Sequence, residues 1–464
     1  MGRYFGTNGI RGIPGRGFFT LDFVCGMASA IGRHMVGRHG TGPVLVGHDG
    51  RSTGPLLYNA ILAALSHTGL DCVMAGMIPT PCLEYEAKAR RCAGGIMITA
   101  SHNPPQYNGM KAVAPNGIEI SREDELHAEE LYGAGPPAVA RNRAWGSISR
   151  MQGPVQYIPG VASQVDRASI SARGLRVVLD PGNGVQGPYA ADLCKMLGCR
   201  YTMINDAIDG RFPGRGPEPT PENLSQLSSA VRRAGADLGV AFDGDGDRSI
   251  FCDENGSVII GDRSALVLVR HVLQRNRGAG VATCLNSSSA AEKVSEALGS
   301  KVVRTKVGSV EVSQCMARTG ALVGYEENGG FMYGRHNPVR DGCMTLALML
   351  EALSRSEMTL SEHAKTLPPA YTAKTKVGCA ARMVSSVMSR LREALDVSDD
   401  RDGLKVSLPG EGVRWVLVRP SGTEPALRIY AEAPTQNEAD LIVGRYARML
   451  LEMDGVFAYQ DGTH

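Results

Sequence analysis

Leu238-Gly239-Val240-Ala241-Phe242 runs without a break into Asp243-Gly244-Asp245-Gly246-Asp247-Arg248. Five consecutive apolar or small residues read as a strand covered on both faces, the pattern of a parallel sheet flanked by helices. The three aspartates that follow alternate with glycine, so their carboxylates can converge on one point. Like charges that close repel unless a cation neutralises them. Such oxygen ligands suit a hard divalent ion, with Mg²⁺ the default because it pairs a few carboxylates with phosphate oxygens. An ordinary Asp-Gly turn is the plain alternative. An EF-hand loop, with Asp243, Asp245 and Asp247 first and Glu254 twelfth, is the other. It fails because Arg248 stands where its sharp turn needs glycine and because the flanks read as strands.

The same plan occurs three times. A strand pattern, a Gly- or Ser-rich turn and a helical pattern begin at Val44 to Gly50, at Val177 to Gly182 and at Val281 to Ser287. A second strand follows each, at Cys72-Val73-Met74, Tyr201 to Ile204 and Val302-Val303-Arg304. A third strand then ends in a distinctive loop: T-A-S-H-N-P at Thr99 to Pro104, D-G-D-G-D-R at Asp243 to Arg248, and Y-E-E-N-G-G at Tyr325 to Gly330. Strands alternating with helices predict mainly parallel sheets, and ligands gather at the carboxyl ends of such strands. From about Tyr371 the pattern changes to amphipathic helical stretches around short strands, with P-S-G-T-E-P between two of them. The expected architecture is three similar α/β domains, 1–148, 149–252 and 253–367, plus a smaller α+β domain, 368–464.

Each loop offers chemistry. Ser101 supplies a hydroxyl, with His102 able to handle a proton and Lys111 in Y-N-G-M-K able to face a phosphoryl group. A serine oxygen beside a carboxylate-bound cation is equipment for phosphoryl transfer. Acyl transfer is the competing use of Ser, His and Lys, but the G-x-S-x-G elbow is missing. In R-P-S-G-T-E-P, Arg419 supplies a planar fork, Ser421 and Thr423 hydroxyls, and Gly422 room for backbone amides to turn inward, with Arg428 a possible second fork. Glu326 and Asn328 are polar groups suited to sugar hydroxyls. Gly182-Asn183-Gly184-Val185-Gln186-Gly187 matches the dinucleotide fingerprint, with Asp206 at about the right distance. That match alone would suggest an NAD-dependent oxidoreductase. It leaves the aspartates, Ser101 and the arginine loop unexplained, so tight strand–helix packing is the preferred use of those glycines.

Length and composition fit a multidomain soluble protein: 464 residues, 43% apolar, and Lys+Arg 49 against Asp+Glu 47. The near balance of charge argues against nucleic acid and membrane partners. No signal peptide, membrane span or myristoylation spacing is visible, so a cytoplasmic location is expected. Eleven scattered cysteines without C-x-x-C pairs read as reduced, mostly buried thiols.

With F-G-T-N-G-I-R-G at Phe5 to Gly12, the motifs occur in the order seen in α-D-phosphohexomutases, which the whole chain resembles. The resemblance implies four domains around a central cleft, each contributing one loop. It implies a phosphoserine at Ser101 and one Mg²⁺ held by Ser101, Asp243, Asp245 and Asp247. Arg248 resembles the arginine steadying the phosphoserine, while Arg11 and Lys111 match positions near the reacting phosphoryl group. Glu326 and Asn328 fall where the family grips sugar hydroxyls, and Arg419, Ser421, Gly422 and Thr423 where it binds the non-reacting phosphate. One departure is Gly330, where bacterial members often carry histidine; nearby His336 resembles a histidine of another branch. The implied partners are sugar phosphates, with a hexose 1,6-bisphosphate as primer and a monomer or homodimer as the assembly. Hexosamine phosphates are favoured over glucose and mannose phosphates.

Overall fold

The computed structural model describes residues 2–40, 42–135, 144–153, 155–422 and 424–459. The first sheet contains β1 (Ile10–Gly12), β2 (Val44–His48), β3 (Cys72–Met77), β4 (Gly94–Ile98), β5 (Asn108–Val113) and β6 (Ile148–Arg150), in the order β1-β5-β4-β2-β3-β6. The second contains β7 (Arg176–Asp180), β8 (Arg200–Met203), β9 (Leu238–Phe242), β10 (Ser249–Asp253) and β11 (Val258–Ile259), in the order β11-β10-β9-β7-β8. The third contains β12 (Val281–Cys284), β13 (Val302–Thr305), β14 (Val323–Tyr325), β15 (Phe331–Tyr333) and β16 (Asn337–Arg340), in the order β13-β12-β14-β15-β16.

The repeated unit is a parallel trio whose last strand turns back into an antiparallel fourth: β4 into β5, β9 into β10, β14 into β15. Each distinctive loop is therefore a hairpin turn at the carboxyl end of a parallel strand. The second sheet extends to Ile259, past the expected boundary at 252. Asp253–Gly256, at that boundary, is a tight turn within the second sheet, with Gly256 N–H donating to Asp253 O and Gly256 at φ 82°.

The fourth sheet is antiparallel: β17 (Tyr371–Cys379), β18 (Leu404–Ser407), β19 (Trp415–Pro420), β20 (Ala426–Ala433) and β21 (Val456–Phe457), in the order β18-β19-β20-β17-β21. Alternation gives it two apolar faces. Val416, Val418 and Ile429 pack under the helices Val384–Ala394 and Gln436–Leu451, whereas Trp415, Leu417 and Tyr430 pack on Leu285 of the third unit.

One apolar core runs through the first three units. The helix Gly342–Ser354, G-C-M-T-L-A-L-M-L-E-A-L-S, is apolar on every side and buried from Gly342 to Leu353, as expected of a helix with no solvent face. Its one acid, Glu351, is paired with His271 (2.8 Å) and Arg275 (2.6 Å). Backbone bonds stitch different units together at their hairpins and helix starts: Thr80 N–H to Asp245 O (3.0 Å), Ser249 N–H to Gly329 O (3.1 Å) and Gly342 N–H to Gly246 O (3.2 Å). All eleven cysteines are free thiols, and only Cys25 is not fully buried. Among the described residues no helix is long and apolar enough to cross a membrane.

Candidate active site

Ser101 occupies the turn between β4 and β5 with φ 51°, a left-handed conformation uncommon outside glycine. Local bonds hold it there. Its N–H donates to Thr99 Oγ1 (2.8 Å) and its carbonyl accepts from Arg51 Nη2 (2.8 Å). Arg51 also donates to the carbonyls of Asn103, Pro104 and Tyr107, pairs with Asp49 and lies over the Phe212 ring. Gly244 lies against the same turn: a Cβ there would come within 2.6 Å of Ser101 O. So fixed, the hydroxyl donates to Asp243 Oδ2 at 2.7 Å. The serine loop and the acidic loop are one site, although they lie in different units.

The carboxylates of Asp243, Asp245 and Asp247 each place an oxygen within 4.8 Å of the others, and all three are buried. Burial, Asp247 and Asp245 push the Asp243 carboxyl up to about 8. Burial alone would raise Asp245 and Asp247 too. Lys111, Thr80 and Arg340 together outweigh it at Asp245, and Arg340, Lys111 and Arg248 together at Asp247, holding both below the usual carboxylate range. Lys111 Nζ donates to Asp245 and Asp247 at 2.8 Å each, so it stays protonated despite its burial. Among the described residues, Asp245 Oδ1 and Asp247 Oδ1 are buried without a hydrogen-bond partner. Buried carboxylate oxygens without donors are costly, and a hard cation suits this set of donors. Glu254, the twelfth position of the rejected EF-hand, instead bonds Ser361.

Arg248 Nη2 donates to His102 Nδ1. A guanidinium has no acceptor, so Nδ1 is unprotonated and the proton of neutral His102 sits on Nε2. Burial and then Arg248, Arg11, Arg340 and Arg428 push His102 well below the ordinary histidine range. Arg11 bonds Asn103 Oδ1, and burial with Arg248 lowers it to about 10. The Tyr325–Gly330 loop, expected to grip sugar and called the sugar loop below, is a tight turn: Glu326 N–H donates to Gly330 O (2.8 Å) and Asn328 Oδ1 accepts from Gly330 N–H (3.2 Å). Arg340 joins this loop to the acidic one, donating to Glu326 Oε2 (3.1 Å) and Asp247 Oδ2 (2.6 Å).

His336 is not brought to the sugar loop. Its ring stacks on Tyr85 (centroids 4.7 Å apart) and lies 3.4 Å from Asp341 Oδ2, in the core where the first three units meet. At the fourth loop Arg419 pairs with Asp402 (2.9 Å), and Arg428 (3.0 Å) and Lys376 (3.3 Å) pair with Glu424. Ser421 and Gly422 are half-buried at the turn, where Ser421 N–H donates to Ala426 O, and Thr423 lies outside the described residues. The dinucleotide-like glycines serve packing. A Cβ on Gly182 would meet the Arg215 guanidinium, and one on Gly184 would lie 2.8 Å from Gly244 O, so protein fills the place of a pyrophosphate. Sequence reasoning passed over Arg51, Thr80 and Arg340. Arg51 follows directly on the Val44 to Gly50 strand and turn, and Arg340 lies four residues after His336.

Four family models match in chain order: the phosphoglucomutase/phosphomannomutase alpha/beta/alpha domains I (residues 2–136), II (155–256) and III (260–371), and the C-terminal domain (383–449). The chain belongs to the phosphoglucomutase/phosphomannomutase family. It is a phosphohexomutase, an isomerase working by intramolecular phosphoryl transfer. Among its relatives, the phosphoglucosamine/phosphogalactosamine mutase of Sulfurisphaera tokodaii is 38% identical over 97% of this chain and 99% of its own. The phosphoglucomutase/phosphomannomutase of Thermococcus kodakarensis is 36% identical over 95% and 96%. A phosphoglucomutase/phosphomannomutase family protein from Burkholderia thailandensis has the same fold by crystallography, at TM-score 0.82 and 29% identity, covering 96% of each chain.

Proposed function

We propose that the protein interconverts glucosamine 6-phosphate and glucosamine 1-phosphate through a phosphoserine at Ser101. The observation that carries this reading is the Ser101 hydroxyl 2.7 Å from Asp243 Oδ2, beside two buried carboxylate oxygens that have no hydrogen-bond donor among the described residues. The phosphoryl group on Ser101 passes to the free hydroxyl of the sugar monophosphate, the Ser–O–P bond breaking as the sugar O–P bond forms. The resulting 1,6-bisphosphate turns end for end and returns its other phosphoryl group to Ser101. A Mg²⁺ held by Asp243, Asp245, Asp247 and the seryl phosphate would offset charge on the transferred group.

The chain's own residues supply the rest. Arg248 and Arg11 flank the transferred group, and Lys111, which bonds two of the acidic trio, is the candidate proton carrier. His102, neutral with its proton on Nε2, can donate a hydrogen bond there. Glu326 and Asn328 grip sugar hydroxyls. Arg419, Ser421, Gly422, Thr423 and Arg428 hold the phosphate that is not reacting. A hexose 1,6-bisphosphate primes enzyme that has lost its phosphoryl group.

The preference for glucosamine rests on the 38% identical relative from Sulfurisphaera tokodaii; the Thermococcus kodakarensis relative supports glucose and mannose phosphates as the second reading. A coupled assay with Mg²⁺ and primer, comparing glucosamine, glucose and mannose phosphates, tests both. The highest kcat/KM belongs to the glucosamine phosphate, and a higher value for glucose or mannose phosphate selects the second reading.

A further inference from the structure

Gly330 ends the sugar loop without a side chain, yet the space above it is filled. A Cβ at residue 330 would collide with Arg340 Cδ and lie 3.0 Å from its Cγ and 3.3 Å from Asn328 Oδ1. The aliphatic stem of Arg340 thus lies across the place where a loop side chain would project. The stem comes from β16, whose pairing with β15 slips register between Met332 and Tyr333. At its end the guanidinium, 5% exposed, reaches Asp247 Oδ2 at 2.6 Å and Glu326 Oε2 at 3.1 Å. It bonds a carboxylate of the acidic loop and one of the sugar loop at once.

We infer that Arg340 is the positioning residue that orients the sugar in this chain, acting through Glu326 and taking over the space and role of the side chain absent at Gly330. The inference rests on the mutase reading above. A planar fork with fixed donor directions can hold two carboxylates at a set separation, which a lysine ammonium does less well. Tying Glu326 to Asp247 fixes the group that accepts sugar hydroxyls relative to the serine–aspartate centre. A hydroxyl gripped by Glu326 is then presented at one distance from Ser101. Small displacements of that kind are costly in rate. The arrangement also accounts for His336 lying elsewhere: with Arg340 across the loop, no histidine is needed to face the sugar.

The test is a cycle in the full-length protein of Arg340→Met, Gly330→Ala and both together, with Arg340→Lys as the conservative variant. KM and kcat are measured on the preferred hexose phosphate, and folding is followed by thermal unfolding. Expected are a rise in KM of about tenfold or more for Arg340→Met and partial recovery in Arg340→Lys. Gly330→Ala alone raises KM severalfold but adds nothing in the Arg340→Met background, because residues in contact couple. If Arg340→Met does not fold, Gly330→Ala, which removes no hydrogen bond, carries the test by its KM. Turnover with KM unchanged in Arg340→Met, or an equal cost of Gly330→Ala in both backgrounds, overturns the inference and leaves the mutase reading standing. No turnover of any hexose phosphate by the unmodified protein overturns both.

Discussion

At the Ser101 end, Ser101, Asp243, Asp245, Asp247 and Lys111 are at most 2% exposed, and the serine turn hangs from Arg51 by four backbone carbonyls. At the Arg419 end the cations are held by acids of their own unit: Arg419 by Asp402, and Arg428 and Lys376 by Glu424. The first end is rigid and dry, as suits charge developing in a transition state, where fixed dipoles outperform water. On the proposed reading, the second binds a phosphate by exchanging one anion for another. Exchange limits the net affinity, and an intermediate that must let go and turn around needs such a loose grip at one end.

The largest effect expected from breaking this contrast is at Ser101. Ser101→Ala removes the phosphoryl acceptor, so turnover in the coupled assay disappears while thermal unfolding stays close to that of the unmodified protein. Arg51→Met comes next. It releases the serine turn and strands the buried Asp49 charge, so kcat falls about 10²-fold and stability drops by about 3–5 kcal/mol, read by turnover and by denaturant unfolding. An unchanged kcat would mean the turn holds itself.

At the loose end the effects are smaller. Lys405 donates to Leu285 O (2.8 Å) across the contact between the third and fourth units, and burial lowers it from 10.5 to about 8. Its folded state therefore binds fewer protons than the unfolded chain between pH 8 and 10.5, so docking of the fourth unit strengthens as pH rises through that window. Hydrogen exchange of β19 at pH 8 and 9.5 checks this, and Lys405→Met removes the trend. Smallest is Glu424→Gln: freeing Arg428 and Lys376 from a partly exposed ion pair lowers KM about two- to fivefold, matching the 0–1 kcal/mol such pairs carry.

The sequence announced the serine, the acidic trio and the order of the loops, because each loop concentrates reactive groups within six residues. It did not announce their supports. Arg51 reaches the serine turn, 50 residues on, from the end of β2, which pairs in parallel with β4, and Arg340 reaches Asp247, 93 residues back, from β16 of another unit. His336 sits close in sequence to the sugar loop, but stacking on Tyr85 draws it into the core. The dinucleotide-like glycines show the converse: a motif legible in the chain, whose spaces other parts of the protein fill.

The helix Gly342–Ser354 belongs to the third repeat by chain order, yet it packs against helices of the second, Tyr157–Ala162, Arg167–Arg173 and Gly187–Met196. A repeat cut out on its own would leave an oily cylinder in water or a socket without its plug. The protein carries three copies of one blueprint welded into a single anvil. The fourth unit packs under helices of its own and meets the anvil through Trp415, Leu417 and Tyr430 on Leu285.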